Sequence, residues 1–410
     1  MPNTAYVVGT YDTKAEELRY VAGLLRAAGL PVISVDVGTK TPAGDADFSS
    51  ATLATFHPLG ADAVFGSGDR GAAVTAMTTA LLRFIETRDD VGGIIGLGGS
   101  GGTTIITPAM RSLPIGTPKL MVSTLAAGNV APFVDVHDVT MMFPVTDIAG
   151  LNRLSRVILA NAAHALAGMM TRSAPSGSDS RPTLGFSMFG VTTPCIQQLT
   201  ARLSADYECQ VFHANGPGGR AFEAIAAAGL LHGMVDLTTT EAADHLLGGV
   251  CTAGPERFDV IAKTSIPWIG SCGALDMVNF WAPNTIPEKY RGRLFHAHNA
   301  NVTLMRTTAE ELEMIAAWIA NKLNAAKGAV RLLLPEGGLS MLDAPGQKFY
   351  DVAANVALFA AFERYYKLSD THRLIRVPHH INDPAFVEVV ECHIRELMAA
   401  SSDKSGSATT

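Results

Sequence analysis

The stretch Gly96-Leu97-Gly98-Gly99-Ser100-Gly101-Gly102-Thr103-Thr104 decides how the chain is read. An apolar run, 91–95, precedes it, and Ile105, Ile106, Ala109 and Met110 follow. That order predicts a buried strand, a glycine loop and the start of a helix. Glycines leave backbone N–H groups open to close approach. A helix start beside them favours an anion, most often a phosphate. Ser100, Thr103 and Thr104 add hydroxyl groups. A turn needed only for packing requires fewer glycines. Gly98, Gly99, Ser100, Gly101, Gly102 and Thr103 are therefore read as a phosphate-binding loop.

Two better-known loops fit it in part. Gly96, Gly98 and Gly101 satisfy G-x-G-x-x-G, but a dinucleotide site adds an acid at the end of the next strand. That strand, 119–122, ends in Ser123 and Thr124, which argues against a dinucleotide. The triphosphate loop G-x-x-x-x-G-K-[ST] needs a lysine that this loop lacks. Backbone amides, a neighbouring arginine or a metal would then meet the phosphate charge.

Toward the N-terminus, a strand at 5–8 leads into Gly9, Thr10, Asp12, Thr13 and Lys14. A helix at 15–28 and a strand at 32–37 follow, with Asp36 near the strand's end. Strand–helix–strand order predicts a parallel pair with a right-handed crossover. Ligands collect at the carboxyl ends of such strands, so these residues and Asp36 join the predicted nucleotide contacts. A brief strand at 63–65 leads to a second glycine loop with Gly68, Asp69 and Arg70. The fork of Arg70 can hold two phosphate oxygens. The plainer reading is a surface arginine at a helix start capped by Asp69. Asp12 or Asp69 can also reach magnesium through water. A helix at 72–87 leads to the organising strand. Later strands are expected at 119–124, 134–136 and 139–143, and a long helix at 155–170.

The polar stretch 173–180 is read as a linker between a domain at 1–172 and a second at 181–400, with 401–410 as a disordered tail. The alternation restarts with strands at 183–188, 209–213, 234–237, 260–264, 294–297 and 329–334. The fold class is α/β: two Rossmann-like domains with mainly parallel sheets. Polar residues gather at the strand ends of the second domain. His213, Glu241 and His298 suit general bases, and Arg220 and Arg306 suit anion holders. Each is equally read as a cap or a satisfied core contact. His213, Glu241, His298 and Arg306 form the predicted catalytic set, facing the glycine loops across one cleft. His296 and His298 share a strand face if the alternation is regular, but no pattern is tight enough to assign a metal site. His379 and His380 are read as surface residues.

Composition narrows the alternatives. The 410 residues carry a net charge of -7, which leaves no electrostatic footprint for nucleic acid or membrane. Five cysteines without C-x-x-C spacing suit a reducing, cytoplasmic setting.

By its motifs the chain resembles a known family, that of the N-terminal ATP-binding domain of the tomato mosaic virus resistance protein and its bacterial relatives of unassigned activity. The motifs begin with Gly9-Thr10-Tyr11-Asp12-Thr13-Lys14 and the loop from Gly96 to Thr103, followed by Ala149-Gly150-Leu151-Asn152. His213-Ala214-Asn215-Gly216, Asp236-Leu237-Thr238-Thr239-Thr240-Glu241 and Gly273-Ala274-Leu275-Asp276-Met277 follow in order. The resemblance implies a two-domain α/β protein that binds ATP with Mg2+ through the first glycine loop, and supplies no reaction. The expected function is an ATP-dependent enzyme acting on a small anionic metabolite. The alternatives are a nucleotide-responsive binding protein without turnover, and a nucleotide-independent hydrolase or lyase using the second domain's histidines and acids. The expected partners are a nucleotide and a small molecule, in a homo-oligomer.

Overall fold

The structure is a computed structural model that describes residues 3–40, 45–172 and 179–406. It divides into two compact units, 1–177 and 178–410. Residues 173–178 of the expected linker and 407–410 of the expected tail lie outside the described residues. A helix, Pro384–Gly406, runs through the first part of that tail.

The first unit is built on a parallel sheet in the order β2-β1-β3-β4-β5. Its strands are β1 Thr4–Gly9, β2 Val32–Asp36, β3 Val91–Gly98, β4 Lys119–Ser123 and β5 Thr140–Met142. Alternate residues of β1 go to opposite faces. Tyr6 and Val8 join a core with Met77, Leu81 and Phe84 from the helix Arg70–Glu86. Ala5 and Val7 join another with Leu18, Val21 and Leu25 from the helix Tyr11–Ala27. The sheet is thus covered on both faces, as a parallel sheet requires. The order also reverses between β1 and β3. In open α/β sheets the crevice at that reversal is where ligands bind.

The second unit has a six-stranded parallel sheet ordered β14-β13-β9-β8-β6-β7 and a three-stranded antiparallel one ordered β10-β12-β11. The larger sheet comprises β6 Thr183–Met188, β7 Glu208–His213, β8 Gly233–Thr238, β9 Trp268–Gly273, β13 Val330–Pro335 and β14 His372–Val377. The smaller comprises β10 Met277–Phe280, β11 Phe295–Asn299 and β12 Val302–Arg306. Leu332 and Leu334 of β13 pack to one face and Leu333 to the other.

Three predicted strands are helix or turn. Residues 63–65 fall in the turn Asp62–Phe65, which packs under the helix Arg70–Glu86. Residues 134–136 fall at the end of the turn Ala131–Val134, where Asp135 takes φ 47° and breaks the path. Residues 260–264 form the helix Asp259–Lys263, whose start is held by the Glu223 carboxylate accepting from the Phe258 and Val260 N–H groups. Each is too short for its periodicity to separate helix from strand.

Candidate functional site

The site grows from two strand ends and one inter-helix loop of the first unit. β1 ends at Gly9, and the Thr13 and Lys14 N–H groups turn back to the Thr10 carbonyl at 3.2 and 2.9 Å. Lys14 interrupts the helix with φ -136° and ψ 23°. β3 ends at Gly98, and Gly99 caps the helix Ser100–Ser112 without a side-chain hydrogen bond. The first N–H groups of that helix have no intrahelical partner and are open to a ligand. Close packing requires a glycine at 98, since a Cβ there would lie 2.9 Å from the Gly102 Cα. The loop Ser67–Arg70 joins the turn Asp62–Phe65 to the next helix, which Asp69 caps by accepting from the Gly71 N–H at 2.8 Å. A Cβ placed on Gly101 would lie 3.8 Å from Arg70 Nη2. Two helix starts and a guanidinium therefore converge.

Between them is a cavity of about 550 Å³. Its polar wall holds Thr10, Asp12, Thr13, Lys14, Gly68, Asp69, Arg70, Gly99, Ser100, Gly101 and Gly102. Its apolar wall holds Val64, Phe65, Ala73, Val74 and Ile105. Lys40 and Asp147 also line it and are not among the predicted contacts. Lys40 lies in the loop after β2 and Asp147 in the loop after β5, and the polar run from Thr146 to Asn152 was the signal that pointed to the second of these.

The other predicted contacts are buried outside this lining. Asp36 Oδ1 accepts from the Tyr11 N–H at 3.0 Å and the Gly38 N–H at 2.8 Å, which ties the first helix to the end of β2. Thr103 is fully buried and its hydroxyl pairs with Ser123 Oγ at 2.6 Å. Gly9 lets Leu18 pack on β1, where a Cβ would lie 2.8 Å from Leu18 Cδ2, and Gly98 is the close-packed position already described. These four set the shape of the cavity from below its surface.

The second unit's predicted set is not gathered in one cluster. Glu241 is fully buried; its Oε1 accepts from the Gly216 and Gly219 N–H groups at 2.6 and 3.1 Å, and Oε2 from Arg257 Nε at 2.9 Å. The start of the helix Pro217–Ala227 is thus occupied by a carboxylate of the protein itself. Burial pushes the Glu241 carboxyl up, and Arg257 opposes that rise. Arg257, missed in the sequence, also pairs with Asp236 at 2.8 Å and Glu223 at 3.0 Å. Arg306 lies in a different buried network, donating to the Phe349 carbonyl at 2.7 Å and to Asn355 Oδ1 at 3.2 Å, with Asp343 at 3.7 Å. His213 ends β7 with its ring stacked on Phe189 at 5.2 Å, and burial pushes its imidazole down. His298 lies on the exposed edge strand β11, where the register shifts between Ala297 and Asn299. That shift breaks the regular alternation by which His296 and His298 would share a face. His380 is half-buried, its Nε2 2.9 Å from the Ser340 carbonyl, and braces the loop after β13 rather than lying free on the surface. Among the described residues, no group of three or more His, Cys, Asp or Glu side chains is placed to hold a metal ion, and no helix is long and apolar enough to cross a membrane.

Fold and pocket define a two-unit Rossmann-like α/β protein with a polar cavity at the switch point of its first sheet. Residues 3–175 match the N-terminal domain, and 181–398 the C-terminal domain, of the Uncharacterised protein family (UPF0261). The chain belongs to that family. It is 55% identical over 392 residues to a family protein of Rhizobium meliloti, covering 96% of this chain and 98% of that one. It is 40% identical to the tomato ToMV resistance protein Tm-1(GCR237), covering 94% of this chain and 54% of the tomato protein. A Streptomyces glycosyltransferase solved with thymidine diphosphate is similar over 65% of this chain and 81% of its own, at 14% identity and a TM-score of 0.19, too low to argue from.

Proposed function

We propose that the first unit binds ATP with magnesium in the cavity at its switch point. The observation that carries this reading is the convergence of the Ser100 and Arg70 helix starts with Lys14 on one cavity. Oriented N–H groups, an ammonium and a guanidinium suit a chain of phosphates. The apolar wall suits the flat base at the other end. Magnesium fits as an ion held mainly by phosphate oxygens and water, with one carboxylate from Asp12 or Asp69. When bound, it would screen phosphate charge; the chain's own residues bind and orient the nucleotide.

In the reading as an ATP-dependent enzyme, a small anionic metabolite is the second substrate. One observation favours the alternative, a nucleotide-responsive binding protein. Glu241 and Arg306 are each held in a buried network of their own, which leaves only His213 and His298 of the set exposed.

Calorimetric titration with ATP, ADP and AMP tests the site, and phosphate release tests turnover. Arg70→Ala is expected to weaken ATP by about tenfold, from the loss of one or two charge-assisted hydrogen bonds, and to leave AMP unchanged. A wild-type protein without affinity for ATP would end this reading.

A further inference from the structure

Residues 143–150 run from the end of β5 toward the helix Arg153–Thr171 and cross one side of the cavity, where Asp147 lines it. The segment is poorly settled at its front. Phe143 and Val145 are 41% and 61% exposed. Val145 takes φ +67°, a conformation that a β-branched residue rarely adopts. The Thr146 hydroxyl is buried with no hydrogen-bond partner. Pro144, between Phe143 and Val145, is buried, with its carbonyl accepting from the Thr146 N–H at 2.7 Å, and the segment is fixed again further on. Ile148 is 2% exposed in the core, and the Gly150 N–H donates to Glu17 Oε1 at 2.5 Å.

The Gly150 carbonyl also accepts from Ser155 Oγ at 3.3 Å, and within the segment the Ile148 N–H donates to Asp147 Oδ1 at 2.8 Å. At its middle the segment is tied by the Lys14 ammonium, which donates to the Ile148 carbonyl at 2.7 Å. Lys14 also lines the cavity and sits where the first helix is interrupted. A single amine therefore serves both the cavity and the segment beside it.

We propose that residues 143–150 form a strap released by an anion in the cavity: the anion draws Lys14 from the Ile148 carbonyl, and the strap swings its Asp147 away from the bound charge. This rests on the reading of the cavity as a phosphate site. A phosphate is a charged acceptor and outcompetes a neutral carbonyl for the ammonium. The Asp147 carboxylate faces the same space and is repelled by an arriving anion. The backbone of Val145 and the orphaned hydroxyl of Thr146 both gain from a new position, so the resting and released arrangements lie close in free energy.

The test is hydrogen–deuterium exchange on the full-length protein, alone and with saturating magnesium–ATP or inorganic pyrophosphate, with binding checked by calorimetry in the same buffer. The expected result is exchange about tenfold faster at the Thr146, Ile148 and Gly150 amides when ligand is bound, the signature of local opening. Without ligand, Lys14→Met should speed the same amides and remove their response to ligand. If calorimetry records binding while these amides slow or stay unchanged, the strap is overturned. It is equally overturned if Lys14→Met exchanges like the wild type. If neither ligand binds, the phosphate site itself fails, and the strap fails with it.

Discussion

Single residues decide most at the two glycine loops. Gly101 sits in the first turn of its helix, and a Cβ there would meet only the end of Arg70, at 3.8 Å. A larger side chain is therefore compatible with folding but fills the space between the helix start and the guanidinium. Gly101→Val is expected to keep its melting temperature within a few degrees and lose at least about tenfold in ATP affinity, as two charge-assisted hydrogen bonds contribute about 1.5–3 kcal/mol each. Unchanged affinity in the folded variant would move the ligand elsewhere. A second residue sets a pH response. Burial and the nearby Asp343 carboxylate push the fully buried Asp276 up to about 7. A carboxyl raised on folding takes up a proton when the chain folds. Its stabilisation is thus largest below the unfolded value of about 4 and is lost as the pH rises toward 7. Asp276→Asn keeps an acceptor for Ser340 Oγ, now 2.8 Å away, without the charge. It is expected to match the wild type near pH 4 and to exceed its stability at pH 8 by on the order of 2–4 kcal/mol. Urea denaturation at the two pH values reads the difference; equal gains at both would rule out titration as the cause. At this scale the sequence was partly legible. Thr10, Lys14, Arg70 and Gly101 stood out as strand-end residues beside glycines, but their meeting on one cavity depends on the order β2-β1-β3, which no local pattern carries.

Among the elements, legibility followed length and period. The helix Arg153–Thr171 and the strand Thr183–Met188 have clear apolar repeats and were read within two residues of their bounds. β12, Val302–Arg306, was taken for a polar strand end, because its identity comes from pairing with β10 and β11 rather than from its own residues. The start of the helix Pro217–Ala227 has a comparable origin. Read alone, Arg220 suits an anion holder; in the fold, the Glu241 carboxylate already occupies the helix start beside it. A Cβ on Gly219 would lie 2.0 Å from Glu241 Oε2, so Gly219→Ala must displace a carboxylate that is also the partner of Arg257. Disturbing a buried ion pair in this way costs about 3–5 kcal/mol. Chemical denaturation of Gly219→Ala should register that loss. The cavity of the first unit includes none of these residues, so ATP affinity in the folded variant should be unaltered. A parallel loss of ATP binding would show that the start of the helix Pro217–Ala227 belongs to the nucleotide site after all.

For the whole molecule, the consequential fact is that each unit carries its own cores. The clusters on the two faces of the β2-β1-β3-β4-β5 sheet draw every residue from positions below 171. Those of the larger second sheet draw every residue from 184 onward. A chain segment with a complete core, and with both faces of its sheet covered, has what a domain needs to fold alone. All the lining of the candidate nucleotide cavity lies in the first of these segments as well. A fragment ending at Arg172, after the helix Arg153–Thr171, should therefore melt in one cooperative transition. It should also bind ATP within about threefold of the full chain, a difference of less than about 1 kcal/mol. Calorimetric titration of fragment and full chain side by side makes the comparison. If the fragment folds and ATP affinity falls by a hundredfold, residues after 178 complete the site, and the nucleotide is then read by both units rather than one. If the affinity holds while phosphate release, present in the full chain, disappears, binding belongs to the first unit and chemistry to the second. That outcome would restore the enzyme reading over the nucleotide-responsive one, with His213 and His298 as the first residues to replace.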